Sequence, residues 1–560
     1  MQKLWNIKTY DSTRISEIME KYKVSEILAK LMISRNIKIE EIPMFLNSSL
    51  NELKDPFLIK DMNKFVDRIS TAITNKEKIC IYGDYDVDGI TSITIMYKFL
   101  EELGVKISYY LPDRLSEGYG LNKEALKLIK ESGNTLLITV DCGITAIEEV
   151  NYASSIGLDV CITDHHECGD TLPNAVCIIN PKQAGDNSEF KFHAGVGVAF
   201  KCLMALKVKY NLKEESYLKY IDIVSVGTIS DIVSLTGENR VIAKFGIEAM
   251  KTTKNIGLAA ILKLIGISEI DSTLVSFALA PRINACGRMG NASLAVELLL
   301  AKTNQEATKI AAKLDEQNKL RQAVEKDIFN QALEIVKKEQ LDKQSSIILY
   351  CENWHNGVIG IVASKLVNIY FKPVILFTKE NGIIRGSGRC QLGFSLYEAL
   401  NNCKDLLLQF GGHELAAGMT IEFNKIEEFK TKFNEVVVKL NPNESKEIID
   451  IDAEIKKEDL NASTLRDTYI MKPYGQENKE PVFIYKGLKL QAISTIKDDK
   501  HLRMTLKDNN ILIVGIAFSS GYRRDELKIG DKVDVVGCLN INTYTTPKTI
   551  QLIIKDFKKV

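Results

Sequence analysis

No two of the eleven cysteines stand in a CxxC spacing, and their number is odd. A disulfide framework or a zinc knuckle is therefore not expected, and a reducing, cytoplasmic setting is. Apolar runs of the ~18 residues a membrane span needs are missing too. The opening Met1-Gln2-Lys3-Leu4-Trp5 lacks the apolar core of a signal peptide. No membrane partner is expected. Net charge is absent: 73 basic residues balance 73 acidic ones. That excludes a polycation gripping nucleic acid by bulk charge, so any such partner needs local basic patches. Repeats and low-complexity tracts are also missing. What remains, 45% hydrophobic and 26% charged, has the balance of globular domains, and 560 residues are too many for one core. Three or four domains are expected.

Against this background, three apolar runs end in the same way. Ile79-Cys80-Ile81-Tyr82 leads into Gly83-Asp84-Tyr85-Asp86-Val87-Asp88-Gly89. Leu136 to Val140 leads into Asp141-Cys142-Gly143, and Leu158 to Thr163 into Asp164-His165-His166. In a parallel sheet the carboxyl ends of the strands line one crevice, where ligands bind. Three such ends would pool several carboxylates and two imidazoles, a cluster that repels itself unless cations fill it. The pattern points to a metal site. Cys142 and Cys161 stand in strand patterns beside it and are expected to be ordinary buried thiols.

Along the chain, residues 1–60 suggest helices, with Ser16 to Met32 amphipathic and Pro43 and Pro56 as breakers. From Lys78 to Pro181, strand and helix patterns alternate, which predicts a doubly wound parallel sheet in an α/β domain, residues 61–302. Residues 193–301 are mostly helical in pattern. Thr303 and Glu306 form a capping box for a helix to about Lys338, ~50 Å long at 1.5 Å per residue. It would bridge two domains over residues 303–340; two shorter helices broken near Gln322 are the alternative. A second α/β segment covers 341–440, and Asn441 to Ser445 is a linker. Residues 446–560 suggest short strands, hence a small β-barrel of the oligonucleotide-binding (OB) type.

The chemistry rests on a few side chains. Asp86 and Asp88 are two apart, so on an extended strand end they would point the same way. Asp141 is placed to bridge two metals, His165 offers a nitrogen, and Asp231 in Gly227-Thr228-Ile229-Ser230-Asp231 offers another carboxylate. Oxygen donors with imidazole suit Mn²⁺ or Mg²⁺, and the lack of cysteine ligands disfavours zinc. Two such ions ~3.5–4 Å apart activate water for phosphoester hydrolysis.

These segments resemble the four motifs of the DHH phosphoesterases. Ala280-Pro281-Arg282-Ile283-Asn284-Ala285-Cys286-Gly287-Arg288-Met289-Gly290 narrows the resemblance to the branch containing the bacterial RecJ exonucleases. Gly357 to Lys365, Gly386-Ser387-Gly388-Arg389 and Gly411-Gly412-His413 resemble the associated DHHA1 domain, and Pro473-Tyr474-Gly475-Gln476-Glu477-Asn478 introduces the terminal β-domain. The resemblance spans nearly the whole chain. It implies a 5′ to 3′ exonuclease specific for single-stranded DNA, acting in DNA repair and recombination with two Mn²⁺ or Mg²⁺ ions and a water nucleophile. By the same resemblance, Asp86 and Asp141 bind one metal, and Asp88, Asp141, His165 and Asp231 the other. His166 lies close to the scissile phosphate, so Asp141, His165 and His166 are the expected catalytic residues. One departure is Tyr82, where pyrophosphatase-like relatives carry a histidine ligand; Asp84 is the candidate to supplement the first metal.

Other residues fit the same role. Arg282, Arg288 and Arg389 can fork two N–H groups onto phosphate. Gly411 and Gly412 allow close backbone approach, with His413 as hydrogen-bond donor. Arg385 is expected to be a solvated charge, His355 to precede a helix, Ser364 to take a buried helix position, and His193 and His501 to be surface or structural. In the β-domain, Tyr485, Phe518, Tyr522 and Tyr544 are candidates to stack on bases, at ~1–3 kcal/mol per base. Six Lys or Arg between Lys486 and Lys507 form a candidate basic patch. A single-strand-binding protein or helicase is compatible with this role but leaves no mark in the sequence. Two rival functions remain: a phosphodiesterase of oligoribonucleotides or cyclic dinucleotides, and an inactive replication scaffold. The terminal β-domain disfavours the first, and the intact acidic motifs disfavour the second.

Overall fold

Strand β1 (Leu4–Ile7) stands in a segment whose sequence suggests only helices. The computed structural model describes residues 3–113, 117–118, 120–266, 269–380, 382–440, 447–542, 546 and 548–560. The linker Asn441 to Ser445 and the stacking candidate Tyr544 lie outside them.

The alternating region forms five parallel strands: β2 (Lys78–Gly83), β3 (Lys106–Tyr110), β4 (Leu136–Val140), β5 (Asp159–Thr163) and β6 (Cys177–Ile179). Their order is β3-β2-β4-β5-β6. Successive residues face opposite sides of the sheet. Thus Ile79, Ile81, Leu136, Ile138 and Val140 enter one core, while Cys80, Tyr82 and Leu137 enter the other. The helices Val87–Glu102 and Gly195–Lys209 pack on the first face and are buried along most of their length. The chain leaves β2 to one side for β3 and returns on the other side as β4. This topological switch opens a crevice at the carboxyl ends of β2 and β4.

The helix Asn304–Lys338 is continuous over 35 residues, so no break occurs near Gln322. Thr303 accepts a hydrogen bond from the Glu306 N–H at 3.2 Å, while the Glu306 carboxylate accepts from Lys302 N rather than from the cap residue. The first half of the helix buries Ala307, Ile310 and Leu314 in the metal-domain core. The second half buries Ile328, Ala332 and Val336 against the next domain. That domain holds β7 (Ile347–Tyr350), β8 (Val374–Glu380), β9 (Ile383–Arg389), β10 (Leu407–Gly412) and β11 (Ala416–Ile421), in the order β10-β11-β9-β8-β7. Only β7 and β8 run parallel among these pairs.

Strand β12 (Ile448–Ile451) pairs in parallel with β1. After β13 (Ala453–Glu454) come β14 (Phe483–Ile496), β15 (His501–Asp508), β16 (Ile511–Ala517), β17 (Lys532–Asn542) and β18 (Thr549–Lys559). These last five close into a barrel through the β14–β17 pairing. The N-terminal helices do not stand apart. Ile18, Leu28, Leu31 and Ile42 share one core with Leu490, Leu506 and Phe557 of the barrel. Arg35 fastens this union with two hydrogen bonds to the Asp452 carboxylate, at 2.6 and 3.0 Å.

Candidate metal centre

Beyond β2 the chain turns directly into the helix Val87–Glu102, so Asp86 and Asp88 do not lie on an extended strand end. Asp86 is the helix cap, its Oδ1 accepting from Asp88 N at 2.8 Å and Gly89 N at 3.1 Å. Asp88, the second residue of the helix, is buried and faces another helix start: it accepts from Gly195 N at 2.6 Å and Val196 N at 2.8 Å. Such N-termini favour negative charge. The two carboxylates therefore serve different clusters, because a helical turn replaces the alternation of a strand. Gly89 permits this turn, since a methyl there would lie 2.3 Å from the Asp84 carbonyl oxygen.

Asp141 follows β4 in the left-handed region, φ 59°, and its N–H donates to the Thr163 carbonyl. Asp231 ends the helix Ile221–Ser230. Around them, Nε2 of His165 lies 3.1 Å from Asp141 Oδ1, 3.7 Å from Asp231 Oδ2 and 3.8 Å from Asp88 Oδ2. Three overlapping groups result: Asp84, Asp86 and Asp141; Asp88, His165 and Asp231; and Asp141, His165 and His166. Within each, potential ligand atoms lie within 4.8 Å of one another. All six expected ligand positions thus converge on the switch-point crevice. Tyr82 does not join them. It faces the opposite core, its hydroxyl donating to the Gly120 carbonyl at 2.8 Å and its ring stacking on Tyr110. Cys142 and Cys161 are buried thiols, as expected.

Electrostatics agree with a place for cations. Burial, then the Asp86 charge, pushes the Asp88 carboxyl up to about 7 against the backbone N–H groups of Val196 and Gly195. Burial, then Asp88 and Asp86, raises Asp141 and Asp231 well above the carboxylate range. Burial, then the neighbouring His166, pulls His165 down to about 3, leaving it neutral, the form that binds metal. Buried Nε2 of His165 and Oδ2 of Asp231 make no hydrogen bond among the described residues. An oxygen-rich set with one neutral imidazole, no thiolate and buried atoms lacking hydrogen bonds fits Mn²⁺ or Mg²⁺.

His166 behaves differently. Its Nδ1 lies 2.7 Å from Asp164 Oδ1. Burial alone would lower its pKa, but that contact and the charges of Asp164, Asp88 and Asp84 raise it. Asp164 also accepts from the backbone N–H groups of Ile144, His165 and His166. The sequence left it without a role; in the structure it is the carboxylate that orients His166.

The second α/β domain closes the crevice. His413 shares a cleft of about 540 Å³ with Gly143, Thr145, Asp164 and His166. Gly411 and Gly412 end β10 beside it, Gly412 at φ 143°. Arg389 ends β9, donating to Ser387 Oγ and the Gly388 carbonyl. Arg288 donates to the Gly357 carbonyl at 3.3 Å, joining the two domains. Arg282 instead donates to Asp315 on the connecting helix and to the Ala278 carbonyl, the pattern of a structural tie. A second cavity, about 640 Å³, borders Ile232 next to Asp231 and reaches Phe277, Arg288, Ile361, Tyr474 and Lys555. It brings both α/β domains and the barrel to one space.

Minor candidates separate clearly. His355 caps the helix Asn356–Tyr370 through Gly357 N, Ser364 bonds back to the Gly360 carbonyl, and Arg385 pairs with Glu380. Tyr485 cannot stack on a base: it is 3% exposed in the barrel core and donates to Asp508. Its position on β14 faces inward. Phe518 and Tyr522 are exposed, and His501 packs edge-on to Phe518. Within the basic stretch, Lys486 is paired with Glu454.

Comparison with known proteins agrees with this geometry. The DHH family N-terminal domain matches residues 78–228, the DHHA1 domain residues 343–439 and the RecJ OB domain residues 451–556. A single-stranded-DNA-specific exonuclease RecJ from Bacillus subtilis is 38% identical over 559 residues, covering 99% of this chain and 70% of its own. The crystal structure of RecJ from Thermus thermophilus in complex with Mn²⁺ superposes with a TM-score of 0.86 at 28% identity, covering 100% of this chain and 80% of that one. Its Mg²⁺ complex gives 0.81 at 25% identity, covering 100% and 78%. No helix among the described residues is long and apolar enough to cross a membrane. The chain belongs to the RecJ exonuclease family.

Proposed function

We propose that the protein degrades single-stranded DNA from the 5′ end, hydrolysing phosphodiester bonds with water in DNA repair and recombination. The observation that carries this reading is the convergence of Asp84, Asp86, Asp88, Asp141, Asp231 and His165 in one buried crevice. Asp84, Asp86 and Asp141 would hold one divalent ion, and Asp88, Asp141, His165 and Asp231 a second. Two such ions supply a lowered water pKa and charge to neutralise the leaving oxygen. The remaining work falls to side chains. Asp164 holds His166 through Nδ1 and raises its pKa, so the protonated ring would also offer an Nε2–H toward a phosphate oxygen. Arg288 from the metal domain, and Arg389, Gly411, Gly412 and His413 from the second domain, suit a phosphate backbone along the crevice. We assign the metal chemistry to residues 61–302, the facing wall to 341–440 with 303–340 as connector, and the grip on the strand to 446–560. The crevice between two domains suits a thread better than a duplex.

A timed digest of single strands labelled at the 5′ or the 3′ end, with and without Mn²⁺, tests the reading. Early release of the 5′ label, only with metal, is expected. Early loss of the 3′ label would overturn the polarity, and faster turnover of dinucleotides than of long strands would overturn the substrate.

A further inference from the structure

One wall of the metal centre is the short segment His193–Val196, and three of the candidate ligands lean on it. The His165 ring faces the His193 backbone, whose acceptor favours a proton on the ring. Asp88 accepts from the N–H groups of Gly195 and Val196. Asp141 packs so closely on Gly195 that a methyl there would lie 2.6 Å from its Oδ1. No strand holds this segment. It joins a loop to the helix Gly195–Lys209, and its only side chain of any size beside the loop is His193.

His193 is buried, and its Nε2 lies 3.6 Å from Glu238 Oε1. Glu238 is buried as well and accepts from Lys54 N at 3.0 Å and from the ammonium of Lys201. Lys201, 2% exposed, also donates to the Lys54 carbonyl at 2.7 Å. Phe190 meets the His193 ring edge-on, and Asn239 donates to the Phe192 carbonyl. An ammonium, a carboxylate and an imidazole are thus stacked behind the metal centre, none in contact with the crevice. Stability is a poor reason for such a group, since apolar side chains of similar size often replace a buried ion pair at no loss. Its placement behind three ligands is a better one.

We propose that Glu238, Lys201 and His193 are positioning residues: they lock the His193–Val196 segment and thereby hold His165, Asp88 and Asp141 in metal-binding geometry. The backbone acceptor at His193 keeps the proton of His165 on Nδ1, so Nε2 presents its lone pair to the cation. This rests on His165, Asp88 and Asp141 being metal ligands, as proposed above.

The test is calorimetric titration of the full chain with Mn²⁺ alone, comparing wild type with Lys201→Met/Glu238→Met and with His193→Gln. The double variant removes both charges together and keeps the volume, so the fold should persist. Mn²⁺ affinity is expected to fall about 10- to 100-fold in both variants, the range for losing an orienting partner. Nitrogen-15 NMR of the His165 ring should show a mixture of tautomers where wild type shows one. A folded double variant with wild-type affinity and a single tautomer overturns the inference alone. Should the double variant not fold, the same result in His193→Gln overturns it. A wild-type chain that takes up no Mn²⁺ overturns the ligand assignment, and this inference with it.

Discussion

Gly195→Ala isolates the metal centre from the rest of the fold. The added Cβ would lie 2.6 Å from both Cβ and Oδ1 of Asp141 and 2.8 Å from its Cγ. Contacts this short cannot stand, so something must shift. The helix start at Gly195 is held by its N–H bond to Asp88, and because Asp141 Cβ itself clashes, turning the carboxylate gives no relief: the Asp141 segment must move and carries the carboxylate with it. Overpacking of this kind costs about 1–3 kcal/mol. If the carboxylate leaves its place in this way, binding a cation there must restore it. A free energy of that size corresponds to roughly a 5- to 150-fold loss of affinity. Mn²⁺ titration should show a loss in that range while circular dichroism stays native. Gly418→Ala is the control, because nothing lies within 4 Å of its added methyl. Equal Mn²⁺ affinity in wild type, control and Gly195→Ala would refute the reasoning, since Asp141 would then not contribute to the bound state.

Asp141→Ala should abolish hydrolysis while circular dichroism stays native, because Asp141 belongs to two of the ligand groups at once; robust residual cleavage would contradict its role. Arg389→Ala should raise KM for single strands with kcat nearly unchanged, and an unaltered KM would remove it from the binding wall. Glu238 gives a pH prediction. Burial alone would raise its carboxyl, but the contacts with His193 and Lys201 outweigh that and hold it at about 2, down from 4.5. The difference of roughly 2.5 units is on the order of 3 kcal/mol. For an acid with a depressed folded pKa, that stability is present above pH 4.5 and is lost as pH falls toward 2. Denaturant midpoints measured from pH 5 to 3 should fall more steeply for wild type than for Glu238→Gln; parallel slopes would contradict the assignment.

Much of this was legible in the sequence because strand ends carry their own signature. Apolar runs that close on Asp84, Asp141 and Asp164 mark both the sheet and its crevice, and the order β3-β2-β4 puts the first two side by side. The continuous helix Asn304–Lys338 was likewise readable from its cap and its stripe. Four things were not. The local geometry of Asp86 and Asp88 depends on where β2 stops, and a helix starting at Val87 turns them apart. Strand β1 is only Leu4–Ile7, too short for periodicity to register, and its pairing partner lies more than 440 residues away. The inward turn of Tyr485 follows from the barrel's register, which no local pattern records. Arg282 carries the right motif, yet Asp315 on the connecting helix claims it.

The most direct test of the account is an anomalous difference map from crystals soaked in Mn²⁺, collected at the manganese edge. The account predicts two peaks ~3.5–4 Å apart, one among Asp84, Asp86 and Asp141 and one among Asp88, Asp141, His165 and Asp231. A map with no peak in this crevice, or with manganese held by other residues, would contradict it.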